Sequence, residues 1–312
     1  MMLNQRIIVA VALLLGLHAI SAQAADDKFV GDWALTLPNG SAGWLGVEQH
    51  DGKLTGSMMW QAGSVLPVKS IKEDSDRLEF VRSGGGKIVA ERSGDHLNLT
   101  VSGRRGERKF TGELQPLIPP APDLTTVKFG EPIQLFDGHD LTGWRLTDPK
   151  ADNGWSAKDG LLVNEQNEQG KQYGNLRTDR EFEDFNLTLE TKLAEGGNSG
   201  VFIHGIYEVQ VADTYGRKPD PHNMGAVYSR ITPSESAEKP PGEWQMLEIT
   251  FVKRHATVIL NGKKIIDNQP VRGCTGGALF SDVTRPGPIY LQGDHTGIEY
   301  RNIVIRPVES SK

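Results

Sequence analysis

Cysteine is almost missing from this 312-residue chain: Cys274 is the only one, so no internal disulfide can form. The fold must therefore be held by its core and its hydrogen bonds, which a chain of this length can supply. No histidine lies near Cys274 in sequence, so a small buried apolar residue is the better reading than a thiol nucleophile. Metal-binding spacings of the H-x-x-x-H, C-x-x-C or EF-hand type are also missing. That leaves no metal ligand to name, only room for a structural calcium ion held by loop carbonyls and carboxylates. A Gly-x-Gly-x-x-Gly turn ahead of a helix is missing as well, which argues against a bound dinucleotide. Positive charge is in deficit, with 34 Lys and Arg against 40 Asp and Glu and a formal charge of −6. Nucleic acid and anionic membrane are disfavoured as partners on that ground. Sustained helical periodicity with caps is lacking, and past the first residues there is no second long apolar run.

What is present begins with an export signal over residues 1–24. Arg6 supplies a positive start, Ile7 to Leu17 an apolar run too short to span a bilayer, and Ala22-Gln23-Ala24 a cleavage site. The mature chain is expected to begin near Ala25 or Asp26 and to be periplasmic or secreted. Residues 115–127, QPLIPPAPDLTTV, hold four prolines and no periodic pattern, and read as a semi-rigid extended linker. Before it, residues 26–114 form about eight short alternating runs broken by turn signals, the pattern of a small antiparallel β-barrel. Trp33, Trp44 and Trp60 are expected to fill cores rather than line a ligand mouth. After the linker, residues 128–308 hold further strand-like runs, with Asn261-Gly262 marking a tight hairpin. The expected fold class is all-β: a jelly-roll sandwich preceded by the barrel-like unit.

One stretch does not look like ordinary sandwich. In NSGVFIHGIYEVQVAD, Asn198 to Asp213, side chains alternate, and an unbroken strand would put Phe202, His204, Glu208 and Gln210 on one face. Val201, Ile203, Val209 and Val211 would face the core. Further on, PIYLQGD places Tyr290, Gln292 and Asp294 on one face, with His295 next. A solvated surface explains such faces as readily as a working site does.

The same region carries a resemblance. Leu135-Phe136-Asp137-Gly138, Leu141-Thr142-Gly143-Trp144, Asn198-Ser199-Gly200-Val201 and Tyr207-Glu208-Val209-Gln210-Val211 occur in order. Pro240-Pro241-Gly242-Glu243-Trp244, Gly287-Pro288-Ile289 to Leu291-Gln292, and Tyr300-Arg301-Asn302-Ile303 follow. With these residues the chain resembles the 3-keto-disaccharide hydrolase domain family over about 129–308. It departs from the family pattern at His204, where arginine is frequent, at Gln245, where asparagine is common, and at Gly293-Asp294. The resemblance implies a concanavalin A-like jelly roll and a substrate class, glycosides oxidised to a ketone at the third sugar carbon.

A C3 ketone acidifies the C2 hydrogen, and the resulting enolate can expel the glycosidic oxygen from C1. Water adds afterwards. The route needs a base, a donor to the enolate oxygen and an acid for the leaving oxygen. Glu208 and His204 are the candidate catalytic residues. Gln210, Tyr228, Trp244, Gln292, Asp294 and His295 are candidates for substrate binding, with the two aromatics as a stacking platform. Two other readings stand beside this one. Glu208, Gln210 and Asp213 resemble the E-x-D-x-x-E strand of jelly-roll glucanases, but Gln210 replaces the central carboxylate and Asp213 has the opposite parity. A carbohydrate-binding protein without catalysis would use the same aromatics and amides.

Overall fold

The computed structural model describes residues 28–104, 106–165 and 173–309. The export-signal reading of residues 1–24 lies outside them. Among the described residues no helix is long and apolar enough to cross a membrane, and all regular structure is β.

Nine strands precede the proline-rich segment: β1 (Gly31–Thr36), β2 (Ala42–His50), β3 (Lys53–Trp60), β4 (Val65–Pro67), β5 (Ser70–Asp74), β6 (Arg77–Val81), β7 (Lys87–Ser93), β8 (His96–Gly103) and β9 (Gly106–Leu114). They form one antiparallel sheet in the order β4-β3-β2-β1-β9-β8-β7-β6-β5. The run SVLPVKSI divides into β4 and β5 because Pro67 has no N–H to continue a ladder. At that division Val68 N donates to Gly56 O of β3 and Lys69 N to Val81 O of β6, at 2.9 and 2.7 Å. Consecutive strands thus hold the two ends of the sheet together and curl it into a barrel. Trp33, Leu35, Leu45, Met58, Phe80 and Leu99 fill its interior, and Trp33 Nε1 donates to Phe29 O at 2.9 Å.

The thirteen remaining strands are β10 (Ile133–Gln134), β11 (Trp144–Leu146), β12 (Trp155–Lys158), β13 (Leu161–Asn164), β14 (Leu176–Phe182), β15 (Phe185–Leu193), β16 (Asn198–Ile203), β17 (Tyr207–Ala212), β18 (Gln245–Val252), β19 (His255–Leu260), β20 (Lys263–Pro270), β21 (Gly287–Leu291) and β22 (Ile298–Pro307). They build a sandwich of two antiparallel sheets. One sheet runs β12-β13-β22-β15-β18-β19-β20, with β10 also on β22; the other runs β11-β14-β21-β16-β17. Strict alternation in β15 buries Phe185, Leu187 and Leu189, which meet Val201, Val209, Val211, Ile289 and Leu291 from the other sheet in one core. Asn261 and Gly262 turn the β19–β20 hairpin with φ of 51° and 83°, the left-handed pair that this turn requires. Trp144 and Trp155 are core residues, their indole N–H groups satisfied by Leu135 O and Gly174 O.

Residues 115–127 carry no strand, yet they are fixed at several points. Gln115 accepts from Val283 N at 3.0 Å, Arg254 donates to Pro116 O at 2.8 Å, and Asn268 to Pro122 O at 2.9 Å. The barrel and sandwich also touch directly. Trp44 points out of the barrel, not into it, and joins the sandwich core with Ala42 and Met59. Arg230 lies over its ring at 4.1 Å, and the Arg272 guanidinium bonds Asp32 at 2.8 Å and also Glu48.

Candidate functional site

NSGVFIHGIYEVQVAD folds back on itself. β16 and β17 form a hairpin in which Phe202 faces Glu208, Gly200 faces Gln210 and Val201 faces Val209. Cross-strand partners share a face, so Phe202, Glu208 and Gln210 stand on the outer face of the five-stranded sheet while the valines enter the core. β21 pairs on the other side of β16, placing Tyr290 beside Phe202. Their rings stack with centroids 3.9 Å apart, and the Tyr290 hydroxyl donates to Gly277 O at 2.5 Å. Beyond β17, Val209 bridges Val227, and Tyr228 N donates to Glu208 O at 2.9 Å. Tyr228 is therefore the neighbour of Glu208 on that side.

This polar face is covered. Glu208 and Gln210 are each only 5% exposed. The Glu208 carboxyl lies over Gly200: a Cβ there would meet its Oε1 at 2.4 Å. Only glycine leaves that room. Burial, reinforced by the negative charge of Asp294, pushes the Glu208 carboxyl up to about 8. Gln210 Oε1 accepts the Val211 N–H at 2.9 Å; an N–H can only donate, so the bond turns the Gln210 amide N–H groups the other way. Gln292 continues the face past Tyr290; its N donates to Gly200 O at 2.9 Å, and its Oε1 is buried without a partner. Next come Asp294 and His295, half exposed, with His295 Nδ1 2.7 Å from Asp294 Oδ1. That bond raises the His295 imidazole above its ordinary value against the opposing effect of its burial.

Two expected site residues lie elsewhere. His204 is not on the Glu208 face, because the strand breaks there: His204-Gly205-Ile206 is the hairpin turn, with φ of 58° and 70° at its first two residues. Its ring is buried near Phe251 and Tyr207, at 5.5 and 6.2 Å between centroids. Both ring nitrogens lack partners, and burial lowers its pKa to about 4. Trp244 is on the other sheet. Arg301 and Lys192, from β22 and β15, lie over its ring at 4.0 and 4.9 Å, so it packs on the far surface of the sandwich and offers no platform to the Glu208 face. Asp213 accepts Gly196 N and Tyr215 N, which fixes a loop and provides no second carboxylate beside Glu208.

Sequence reasoning missed the cover itself. Thr275 Oγ1 accepts Glu208 N at 2.9 Å, and Leu279 N donates to Gly205 O at 3.0 Å. The 273–279 segment is thus laid along the hairpin, with Gly277 3.1 Å from the Phe202 ring for any Cβ it carried. Its glycines are the only sequence signal, and they read as turns. Among the described residues no three His, Cys, Asp or Glu side chains come together as a metal site. Asp137 and Asp140 instead accept the N–H groups of His139 and Thr142.

Residues 131–306 match the 3-keto-alpha-glucoside-1,2-lyase-like domain family. The chain belongs to this family. A curated relative, the 3-keto-disaccharide hydrolase of Bacteroides thetaiotaomicron, is 26% identical over 152 residues, covering 39% of this chain and 52% of that protein. The chain thus spans about half the length of that relative. Two crystal structures of candidate glycosyl hydrolases from Parabacteroides distasonis are also similar. One is 30% identical, with 62% of this chain and 94% of that chain covered and a TM-score of 0.46. The other is 29% identical, with 57% and 100% covered and a TM-score of 0.44. In this family member the Glu208 face lies inside the matched segment, and the barrel lies outside it.

Proposed function

We propose that this chain breaks glycosidic bonds in 3-keto-glycosides, of which 3-keto-disaccharides are the nearest case, by elimination and then hydration. The observation that carries the reading is Glu208: a carboxyl buried on a polar face, held above Gly200 and pushed up to about 8. Ionised in such surroundings it is a far stronger base than a solvated carboxylate, as removal of a proton next to a ketone demands. Family membership and the printed name of the Bacteroides relative support the substrate class.

In the proposed sequence the Glu208 carboxylate takes the C2 proton and the electron pair moves onto the C3 carbonyl oxygen. The Gln210 amide N–H groups, turned outward by the Val211 bond, donate to that oxygen. The enolate then returns its pair to form the C1–C2 double bond while the C1–O bond breaks. Protonated His295, its charge favoured by Asp294, gives a proton to the departing oxygen. Water adding across the double bond completes net hydrolysis. The half-buried Tyr228 ring, next to Glu208, gives the sugar ring its apolar contact. We place this work in the exported chain, after removal of residues 1–24, with the sandwich of residues 128–308 as the carrier of the site.

The test is incubation with a 3-keto-glucoside and, separately, its unoxidised parent. Release of the aglycone from the keto compound alone is expected, and Glu208→Gln should lower it by about 100-fold to 10,000-fold. Binding without release would make the protein a carbohydrate-binding module, and release from the parent an ordinary glycosidase.

A further inference from the structure

The barrel has no part in the family match, yet one of its turns packs on the segment laid over the Glu208 face and on His222, beside Tyr228. Residues 61–64 join β3 to β4. A Cβ on Gly276 would sit 2.7 Å from Ala62 O and from Gly63 O, so the turn lies directly on the 273–279 segment. Ser64 Oγ is 2.9 Å from His222 Nε2, and Val65 N donates to Ser229 Oγ at 2.8 Å. His222 is held from its other nitrogen by Asp220 at 2.7 Å and meets the Tyr228 ring edge-on, 4.9 Å between centroids. Tyr228 is the residue hydrogen-bonded beside Glu208.

These contacts fall at one end of the face. β16 runs from Asn198, bonded to Thr296 beside His295, to Ile203 at the hairpin turn, where Thr275 and Leu279 bind. The barrel turn stands at the hairpin end and Asp294–His295 at the other.

We propose that the β3–β4 turn of the barrel is a fixed wall of the sugar site, with Ser64 positioning Tyr228 through His222. The inference rests on the reading of the Glu208 face as a 3-keto-glycoside site. It goes further by assigning the keto sugar as a terminal unit: its ring abuts the wall, and the leaving group extends toward the half-exposed Asp294–His295 end. Substrates lengthened on the leaving-group side fit, and those lengthened on the keto ring do not.

Two variants test this in the full chain. Ser64→Ala removes the contact to His222. Gly276→Ala drives a methyl group into the backbone of the turn and pushes the wall away. Both should raise KM for a 3-keto-glucoside about 5-fold to 10-fold with kcat within 2-fold, because they alter binding and not the base. Ser64→Thr, which keeps the hydroxyl, should restore the wild-type KM. Unchanged KM in both variants, or equal losses in kcat, would overturn the proposal, as would equal use of substrates lengthened on the keto ring. Should wild type turn over no 3-keto-glycoside, the functional reading fails and the wall is judged separately by 15N spectra during titration with trehalose. Shifts of the Gly63, Ser64 and Glu208 amides together retain the wall. Shifts at Glu208 without the turn, or at none of the three, remove it.

Discussion

The interior of the barrel and the outer face of the five-stranded sheet are both buried β surfaces lined with aromatics, and they do opposite things. Inside the barrel, Trp33, Leu35, Leu45 and Phe80 pack in one apolar cluster, and the Trp33 indole N–H is satisfied within four residues. On the sheet face, Phe202 and Tyr290 stack beside the Glu208 carboxyl and the Gln210 carboxamide, which are buried as well. The barrel interior minimises free energy by filling space. The sheet face keeps groups that burial penalises, above all Glu208. A polar face that is buried, instead of wetted, is where folding stability and chemistry pull apart.

The sharpest way to break this contrast is Gly200→Ala. Its methyl group would collide with the far end of the Glu208 side chain, which can swing aside, so the strand survives and the carboxyl moves. Turnover should fall about 100-fold, the scale set by a misplacement near 1 Å, with Tm nearly unchanged; an unaltered rate would show that the carboxyl position is not critical.

Next in size is the stability that Glu208 withholds. Its folded pKa of about 8 lies above the unfolded carboxyl value. Between those values the native state binds more protons than the unfolded chain, so stability falls as pH rises through that window. Glu208→Gln should therefore be more stable than wild type by on the order of a few kcal/mol at pH 8, and no more stable near pH 4. Calorimetry across that range checks the sign. The rate of the wild type should climb as Glu208 ionises toward about 8 and fall again where His295 loses its proton, because the base works ionised and the acid protonated.

His204 offers the mirror case in the turn. Its folded pKa of about 4 lies below the unfolded imidazole value. Below pH 6.5 the unfolded state takes up protons that the native state refuses, so stability drops as pH falls toward 4. His204→Asn, which tolerates the positive φ, should flatten that acid limb by on the order of 2 kcal/mol while leaving the pH–rate profile in place. Denaturant midpoints at pH 4 and 7 measure it.

The smallest effect is expected at Trp244. Trp244→Ala loses two cation–π contacts on the far sheet, worth about 1 kcal/mol, and should change kcat/KM by less than 2-fold. A larger loss of activity would return Trp244 to the sugar site.

Much of the fold was legible because alternation is a local property. Leu187 and Leu189 in β15, or Ile88 and Ala90 in β7, declare their buried faces within one strand. Asn261-Gly262 declares its hairpin for the same reason. Glu208 and Gln210 could be grouped with Phe202 by counting even offsets, because a three-residue turn between cross-strand partners preserves parity. The same count misplaced His204, since a residue inside the turn belongs to neither face. Trp244 was misplaced because nothing local says which of two sheets an aromatic will cover; Arg301 and Lys192, distant in sequence, decide that.

By itself, then, the sequence determined an all-β chain, the strands and most of their faces, and the family, since each follows from short-range pattern or from motifs in order. Only the tertiary structure decided that Glu208 is buried, because burial depends on what is laid beside it: the 273–279 segment, itself backed by a barrel turn more than two hundred residues earlier in the chain. Burial is a property of neighbours, and the shift of a carboxyl to about 8 exists only once they are in place.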